Sequence, residues 1–155
     1  MRKVIIAPIT YDKALPTEKW LNLDELATVH VTSEEPTLPI ESAFTAKGVG
    51  WRAASAGIQT IRLVFDEPQK INRIWLVFEE TDNARTQEFL LRWSSDEGQT
   101  FHEIIRQQWN FSTESAREIE NYKVDLSRVS MLELVIMPDN RGYEAKASLM
   151  AMRLA

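Results

Sequence analysis

Cysteine is absent from the 155 residues. That excludes disulfide scaffolds, thiolate-held zinc, iron–sulfur clusters and thiol nucleophiles. Histidine is nearly absent too: His30 and His102 are the two copies. Neither has a second histidine at ligand spacing, so isolated strand or surface histidines are expected. No apolar run approaches the roughly 20 residues that cross a membrane. The stretch Val4–Ala7, between Lys3 and Pro8, is too short for a signal-peptide core, and a cytoplasmic protein is expected. There is no basic block. Net charge is −5, residues 1–77 carrying 9 basic and 9 acidic side chains and residues 78–155 carrying 9 and 14. A protein that tracks phosphates needs clustered Lys and Arg, so nucleic acid is a poor partner for this chain. Glycine-rich phosphate loops, nucleophile elbows and the HExxH pattern are also missing. Gly48 and Gly50 lie in a loop with no helix after it, which is no dinucleotide site. An enzyme is not expected.

What is present is a period of two. Ile61, Leu63 and Phe65 alternate with Thr60, Arg62 and Val64, and the same holds for Ile74, Leu76 and Phe78 and for Phe89, Leu91 and Trp93. Tyr122, Val124 and Leu126, then Leu132, Leu134 and Ile136, continue it. Side chains of a strand point alternately to opposite faces, so each segment reads as a strand with one face on a core. Asp66–Gln69, Asp82-Asn83, Ser94–Gly98, Ser127-Arg128 and Pro138–Gly142 punctuate them as turns. Ala27–Ser33 reads as a further strand, Leu38–Phe44 as a helical turn after Pro39, and residues 109–120 as the longest polar connection. The hydrophobic share of 44% and the length fit one domain over 1–155, with a less regular segment at 1–26. The expected fold is an all-β antiparallel sandwich of seven to nine strands with at most short helical turns.

Ser94-Ser95-Asp96-Glu97-Gly98-Gln99-Thr100-Phe101 has the S-x-D-x-G-x-T-aromatic pattern and resembles the Asp-box of sialidases. A sialidase needs repeated blades and a far longer chain, whereas this copy is single. It is read as a structural hairpin, with Asp96 bonding backbone amides and Gly98 supplying a positive φ.

A longer series of segments carries a broader resemblance. Pro39–Phe44 is followed by Gly50-Trp51-Arg52-Ala53-Ala54, then by Gln59-Thr60-Ile61-Arg62-Leu63 and by Pro68-Gln69-Lys70-Ile71-Asn72-Arg73-Ile74. Phe89–Phe101 and the closing Ala147–Leu154 complete it. Over roughly residues 27–155 the chain resembles the discoidin or coagulation-factor 5/8 type C domains of the galactose-binding-like jelly-roll superfamily. That resemblance implies a jelly-roll sandwich and carbohydrate as the first ligand class to test. The calcium-loop pattern D-G-x-x-x-T-x-W common in that family is missing. Residues 45–51 offer no carboxylate to a hard cation, so calcium lacks its usual ligands; no cofactor is expected, with calcium the one left open. The Trp51–Ile61 stretch also resembles part of the N-terminal domain of the eukaryotic single-strand-break repair scaffold, which shares the fold and engages DNA. The acidic balance opposes carrying that function over, and Trp51 is read as an anchor plugging one end of the sandwich while Arg52 ties down a loop.

Jelly-roll lectins hold ligands on loops at one end of the sandwich, stacking an aromatic ring on a sugar face and bonding hydroxyls with charged or amide groups. Gln108–Glu114 and Asp139–Glu144 carry that mixture. The expected ligand-binding set is Arg52, Trp109, Asn110, Arg141 and Tyr143; the competing reading packs Trp109 and Phe111 under their own loop. Glu79 and Glu80, adjacent on a strand, point to opposite faces and cannot pair for glycoside hydrolysis. They are expected as a solvated strand end near Arg85. The function expected is non-catalytic recognition of carbohydrate. The alternative is a protein-interaction or assembly module using outward apolar positions such as Val77 and Leu90. Nucleic-acid binding comes third.

Overall fold

The computed structural model describes residues 1–4, 19–46, 48–142 and 144–155. A four-residue helix Leu23–Leu26 (α1) leads into β1 (Ala27–Val31), and a 3-10 turn covers Ile40–Ala43. Then follow β2 (Trp51–Arg52), β3 (Gln59–Glu79), β4 (Arg85–Ser94), β5 (His102–Phe111), β6 (Arg117–Met137), β7 (Ser148–Leu149) and β8 (Ala151–Leu154). All the pairings are antiparallel.

Two strands of 21 residues make the sandwich. The first half of β3 pairs with β1 and with the last part of β6; β6 pairs in turn with β4, and β4 with β5. The second half of β3 lies between β8 and the first part of β6. The β3–β6 ladder loses its regular register between Val64 and Arg73, where both strands pass from one layer to the other. Asp66–Gln69 and Ser127-Arg128 therefore mark no break, contrary to the sequence reading. They are polar because they sit on the exposed outside of that bend, and a bulged strand bends without ending.

Alternation fills the interior as expected. Ile61, Leu63, Ile74, Leu76, Phe78, Phe89, Leu91, Leu132, Leu134 and Ile136 are buried in one cluster. Phe78 and Phe89 stack across the layers with centroids 5.2 Å apart. The outer face of the β8–β3–β6 layer is also closed: Trp75, Val77 and Ala151 are buried there, and Trp20 stacks on Trp75 at 6.4 Å. Val77 is thus no contact surface, because residues 19–22 run beside β8, with the Leu21 amide donating to the Leu154 carbonyl at 2.7 Å. Leu90, on the outside of β4, is half-buried.

The register fixes which loops share an end. β3 starts, β4 starts, β5 ends and β6 both starts and ends at one end of the sandwich, which gathers residues 53–58, 80–84, 112–116, 138–142 and 144–147. The Ser94–Phe101 hairpin lies at the other end. The connection expected over 109–120 shrinks to 112–116, because β5 runs to Phe111 and β6 begins at Arg117.

Candidate functional site

The gathered loops stand on one buried cation. Arg85 opens β4 with the same parity as Phe89 and Leu91, so its side chain enters the core and is 1% exposed. Its Nε donates to Glu80 Oε1 at 2.9 Å; Nη1 donates to Gln87 Oε1 at 3.0 Å and to the Pro138 carbonyl at 2.9 Å. Nη2 donates to Ser148 Oγ at 3.4 Å, and the guanidinium lies 4.6 Å from the Phe111 ring centroid. A buried ion pair offsets its desolvation only when its remaining donors find acceptors, and here they do. The arginine therefore ties Glu80, Pro138 and Ser148, from three separate segments, to the start of β4. Glu80 is the buried partner of this pair, a correction to the solvated strand end expected for Glu79 and Glu80.

Over this floor lies an open cleft of about 340 Å³, walled by Arg52, Asn83, Arg141, Glu144 and Lys146. A smaller hollow of about 170 Å³, reaching Trp51, Asp82 and Met150, shares Arg52 and Glu80 with it. A depression of about 390 Å³ beside Gly57, Ile58 and Asn140 shares Asp139 and Glu144. Arg141 clamps Asp139, with Nε to Oδ1 at 2.9 Å and Nη2 to Oδ2 at 3.0 Å, and Nη2 also donates to the Ala84 carbonyl. The clamp holds the Asp139 carboxyl below the usual carboxylate range. Glu35 receives two cations at one oxygen: Arg52 Nε lies 3.5 Å and Lys146 Nζ 3.4 Å from its Oε1.

The structure divides the expected ligand set. Arg52 and Arg141 line the same cleft. Tyr143 lies outside the described residues. Trp109 is on β5, opposite Gln87 and facing the core, with its indole N–H donating to the Ser115 carbonyl at 3.2 Å and its ring 6.5 Å from Phe111. It sits under the 112–116 turn and not on the cleft wall, so the single surface that grouped it with Arg141 is corrected. Asn110, next along the strand, is exposed on the opposite face against Thr86. Trp51 is 1% exposed and bonds the Ser33 carbonyl through Nε1 at 3.0 Å. Asp96 and Gly98 belong to the far end, where Ser94 Oγ donates to Asp96 Oδ1 and accepts from the Gly98 amide at 2.9 Å.

The sequence reading passed over Asn83, Lys146 and Glu35, which no motif marks, and the inward role of Arg85, which parity with Phe89 does mark. The same parity places Glu118 and Glu120 on the core face of β6, in line with Tyr122, Val124 and Leu126. Glu118 is fully buried, accepts from Gln87 Nε2 at 3.3 Å and has no partner at Oε2 among the described residues. Burial, reinforced by the adjoining Glu120 carboxyl, pushes its pKa up to about 9. Burial beside a second carboxyl therefore favours the protonated form of Glu118 in the fold.

Calcium does not fit the 43–50 loop. The carbonyls of Ala43 and Thr45, the oxygens such a loop offers a cation, both accept from Arg153, at 2.7 Å each from Nη1 and Nη2. The Ser42 carbonyl accepts from the Gly50 amide, and a Cβ on Gly48 would come 1.8 Å from that same oxygen. Arg153 closes the loop with a covalently attached charge, and residues 43–50 themselves hold no carboxylate for a hard-cation shell.

Neither a family model nor a curated protein matches the chain by sequence. Solved structures do match by shape. The family 32 carbohydrate-binding module of Clostridium perfringens NanJ, determined with galactose, superposes with a TM-score of 0.65 at 15% identity, over 87% of this chain and 96% of that one. CpGH89CBM32-5 from Clostridium perfringens, determined with GalNAc-β-1,3-galactose, gives 0.60 at 19% identity over 88% and 99%. The family 32 module of AlyQ, determined with 4,5-unsaturated mannuronic acid, gives 0.58 at 16% over 84% and 95%. The chain has the galactose-binding-like jelly-roll fold that discoidin domains share.

Proposed function

From this galactose-binding-like jelly roll, we propose a non-catalytic recognition module that takes a saccharide into the loop-end cleft over Arg85. The observation that carries the reading is the cleft itself. Its walls present Arg52 from β2, and Asn83, Arg141, Glu144 and Lys146 from loops whose bases at Glu80 and Pro138 the buried Arg85 network holds in place. Preset donors and acceptors in a concave site suit vicinal hydroxyls, and ordering the loops beforehand lowers the cost of binding. The structural neighbours determined with galactose, GalNAc-β-1,3-galactose and an unsaturated mannuronic acid support carbohydrate as the ligand class. Among the described residues no exposed aromatic ring faces the cleft, so hydrogen bonding does the work there, with Tyr143 proposed as the stacking ring.

A thermal-shift titration against mono- and oligosaccharides tests the proposal. A native-state ligand with millimolar affinity, at tenfold excess over its Kd, stabilises by about 1.4 kcal/mol, or about 3–6 °C in a domain of this size. The expected result is a saturable rise with at least one sugar that Asn83→Ala and Arg141→Ala diminish in folded protein. A flat response across the panel overturns the reading.

A further inference from the structure

The register sets a row of charged side chains across the outer face of the five-stranded layer. Glu103 of β5 lies opposite Arg92 of β4, and Arg92 opposite Glu133 of β6. Glu133 then lies opposite Arg62 of β3, and Arg62 opposite His30 of β1. Opposite charges at facing positions stabilise a sheet, and basic side chains facing each other do not. The row alternates in sign until its last pair, Arg62 and His30, at the β1 edge.

Most of the charge on this face is committed. Glu133, 2% exposed, takes Nε and Nη2 of Arg92 on one oxygen and Arg62 Nε on the other at 2.7 Å. Arg92 also lies 4.1 Å from the Phe101 ring centroid, and Arg106 holds Glu88 and Glu103. Three arginines thus meet three carboxylates, but the signs are separated. Arg106 with its two carboxylates leaves one negative charge at the β5 edge, while Arg62, Arg92 and Glu133 leave one positive charge toward β1. Three strand spacings, about 14 Å, lie between β3 and β5. Physiological salt screens exposed charges over about 8 Å, so the far carboxylates do not neutralise Arg62. Nor do the segments flanking β1. Glu34 Oε2 accepts from the Ile40 amide at 2.8 Å, Glu35 is held by Arg52 and Lys146, and Asp24 and Glu25 precede the other end of β1.

The uncommitted donors are gathered in one place. Neither outer nitrogen of Arg62 and neither ring nitrogen of His30 has a hydrogen-bond partner among the described residues. Both side chains border a hollow of about 240 Å³, together with Thr32 and Thr60. The Thr32 hydroxyl is occupied: it donates to the Thr60 carbonyl at 3.1 Å and accepts from the Thr60 amide at 2.8 Å, which fixes that wall. The Thr60 side chain shares the parity of Arg62, and its hydroxyl has no partner among the described residues. A guanidinium held by its inner nitrogen presents both outer ones already oriented. Beside it an imidazole N–H and a hydroxyl approach from two neighbouring strands. A planar carboxylate would fill the arginine fork alone, whereas a group with three terminal oxygens and more than one negative charge answers all three side chains. We infer that the hollow beside β1 binds the phosphoryl group of a phosphate monoester, with Arg62 as the charge partner and His30 and Thr60 as further donors. A single phosphoryl group is read there and not a nucleic-acid backbone, because the positive charge ends with this cluster. The hollow shares no lining residue with the three at the cleft end, so the inference does not depend on the saccharide reading.

Methyl phosphate, methyl sulfate, phosphoserine and glucose 6-phosphate, titrated at pH 7.5 and low salt into the 15N-labelled full chain, test this through its amide resonances. Methyl phosphate should move residues 30–32 and 60–62 saturably. Methyl sulfate, with the same three oxygens and one charge fewer, should bind about tenfold more weakly. Phosphoserine and glucose 6-phosphate should move the same amides, and the tighter of the two tells whether an amino acid or a sugar carries the group. Arg62→Gln should weaken methyl phosphate about tenfold and His30→Ala about threefold. Both variants should fold, since His30 is exposed without a hydrogen bond and Glu133 keeps both bonds from Arg92. Arg106→Gln, which removes a cation from the same face, should leave the affinity unchanged. Methyl sulfate bound as tightly as methyl phosphate would overturn the phosphate assignment. Shifts spread over exposed cations generally, or equal weakening by Arg106→Gln, would show non-specific attraction and overturn the site. Glucose 6-phosphate moving amides of the cleft alone, with methyl phosphate moving none, would overturn it too and leave saccharide recognition standing.

Discussion

The two ends of the sandwich are built from similar polar residues and put them to different use. At the Ser94–Phe101 end the groups satisfy one another: Ser94 Oγ accepts from the Asp96 and Gly98 amides, Asp96 Oδ1 accepts from the Thr100 amide, and Ser130 Oγ bridges the Glu97 amide to the Ser94 carbonyl. A turn so closed has little left to offer a ligand. At the opposite end the innermost cation, Arg85, is saturated in the same way, but the layer above it is not, since Arg52 and Lys146 hang on one oxygen of Glu35. What separates a structural turn from a candidate site is therefore the number of donors left uncommitted above a rigid floor. Polar content alone does not distinguish them.

The largest test is made on that floor. Arg85→Ala leaves Glu80 buried without its counter-ion, and loss of one partner from a buried pair costs about 3–5 kcal/mol. The urea midpoint should fall accordingly. The double variant Arg85→Met with Glu80→Met, which removes both charges, should recover a good part of the loss. Arg52→Ala, by contrast, should move stability by about 1 kcal/mol or less, because its ion pair is partly exposed and long. Equal losses for Arg85 and Arg52 would erase the distinction between floor and wall.

The second test uses pH. Glu118 keeps its proton in the folded protein up to about pH 9 but gives it up near 4.5 once unfolded. A raised carboxyl pKa means stability that is whole below 4.5 and declines as pH rises toward 9, at up to about 1.4 kcal/mol per pH unit. Asp139 acts in the opposite sense: its lowered pKa adds stability above its ordinary value of 3.8 that is lost as pH falls. Between pH 6 and 8 the Glu118 effect governs. Glu118→Gln should flatten the fall of melting temperature over that range and gain most at pH 8. An unchanged slope would show that Glu118 ionises freely in the fold.

How much of this was legible follows from the same comparison. The interior was, because burial imposes a period of two that the β3, β4 and β6 residues obey. The hairpin at Asp96 was too, since its hydrogen bonds join residues four apart or fewer and one residue from across the sheet, Ser130. The bend through Asp66–Lys70 was not: a strand that crosses between layers exposes polar residues as a turn does, and sequence does not tell the two apart. The cleft was half legible. Arg52 and Arg141 stand out in their motifs, but Lys146 meets Glu35 across 111 residues, a proximity that only the closed sandwich creates. Trp109 misled because a tryptophan between polar neighbours looks like a loop ring, while its parity with Phe111 pointed inward.

A third and smaller effect belongs to the closed end. Gly98 has φ +88, a left-handed conformation that L residues adopt at a cost of about 1–2 kcal/mol. Gly98→Ala should lower the melting temperature by several degrees and leave every sugar affinity unchanged, because the hairpin lies a full strand length from the cleft. A change in affinity without a change in fold would mean that the two ends communicate.

The smallest effect sharpens the boundary of the site. Asn110 stands on the exposed face of β5, opposite Thr86, and lines none of the three hollows at the cleft end. Its neighbour Trp109 turns the other way, into the core, so the two cannot touch one sugar from the same strand. Asn110→Ala should change stability by less than about 0.5 kcal/mol and leave binding intact, whereas Asn83→Ala, with the same loss of an amide, should weaken it. The pair holds chemistry constant and varies position alone. If Asn110→Ala weakens binding and Asn83→Ala does not, the ligand lies against the β4–β5 face, and the uncommitted donors of the cleft have some other use.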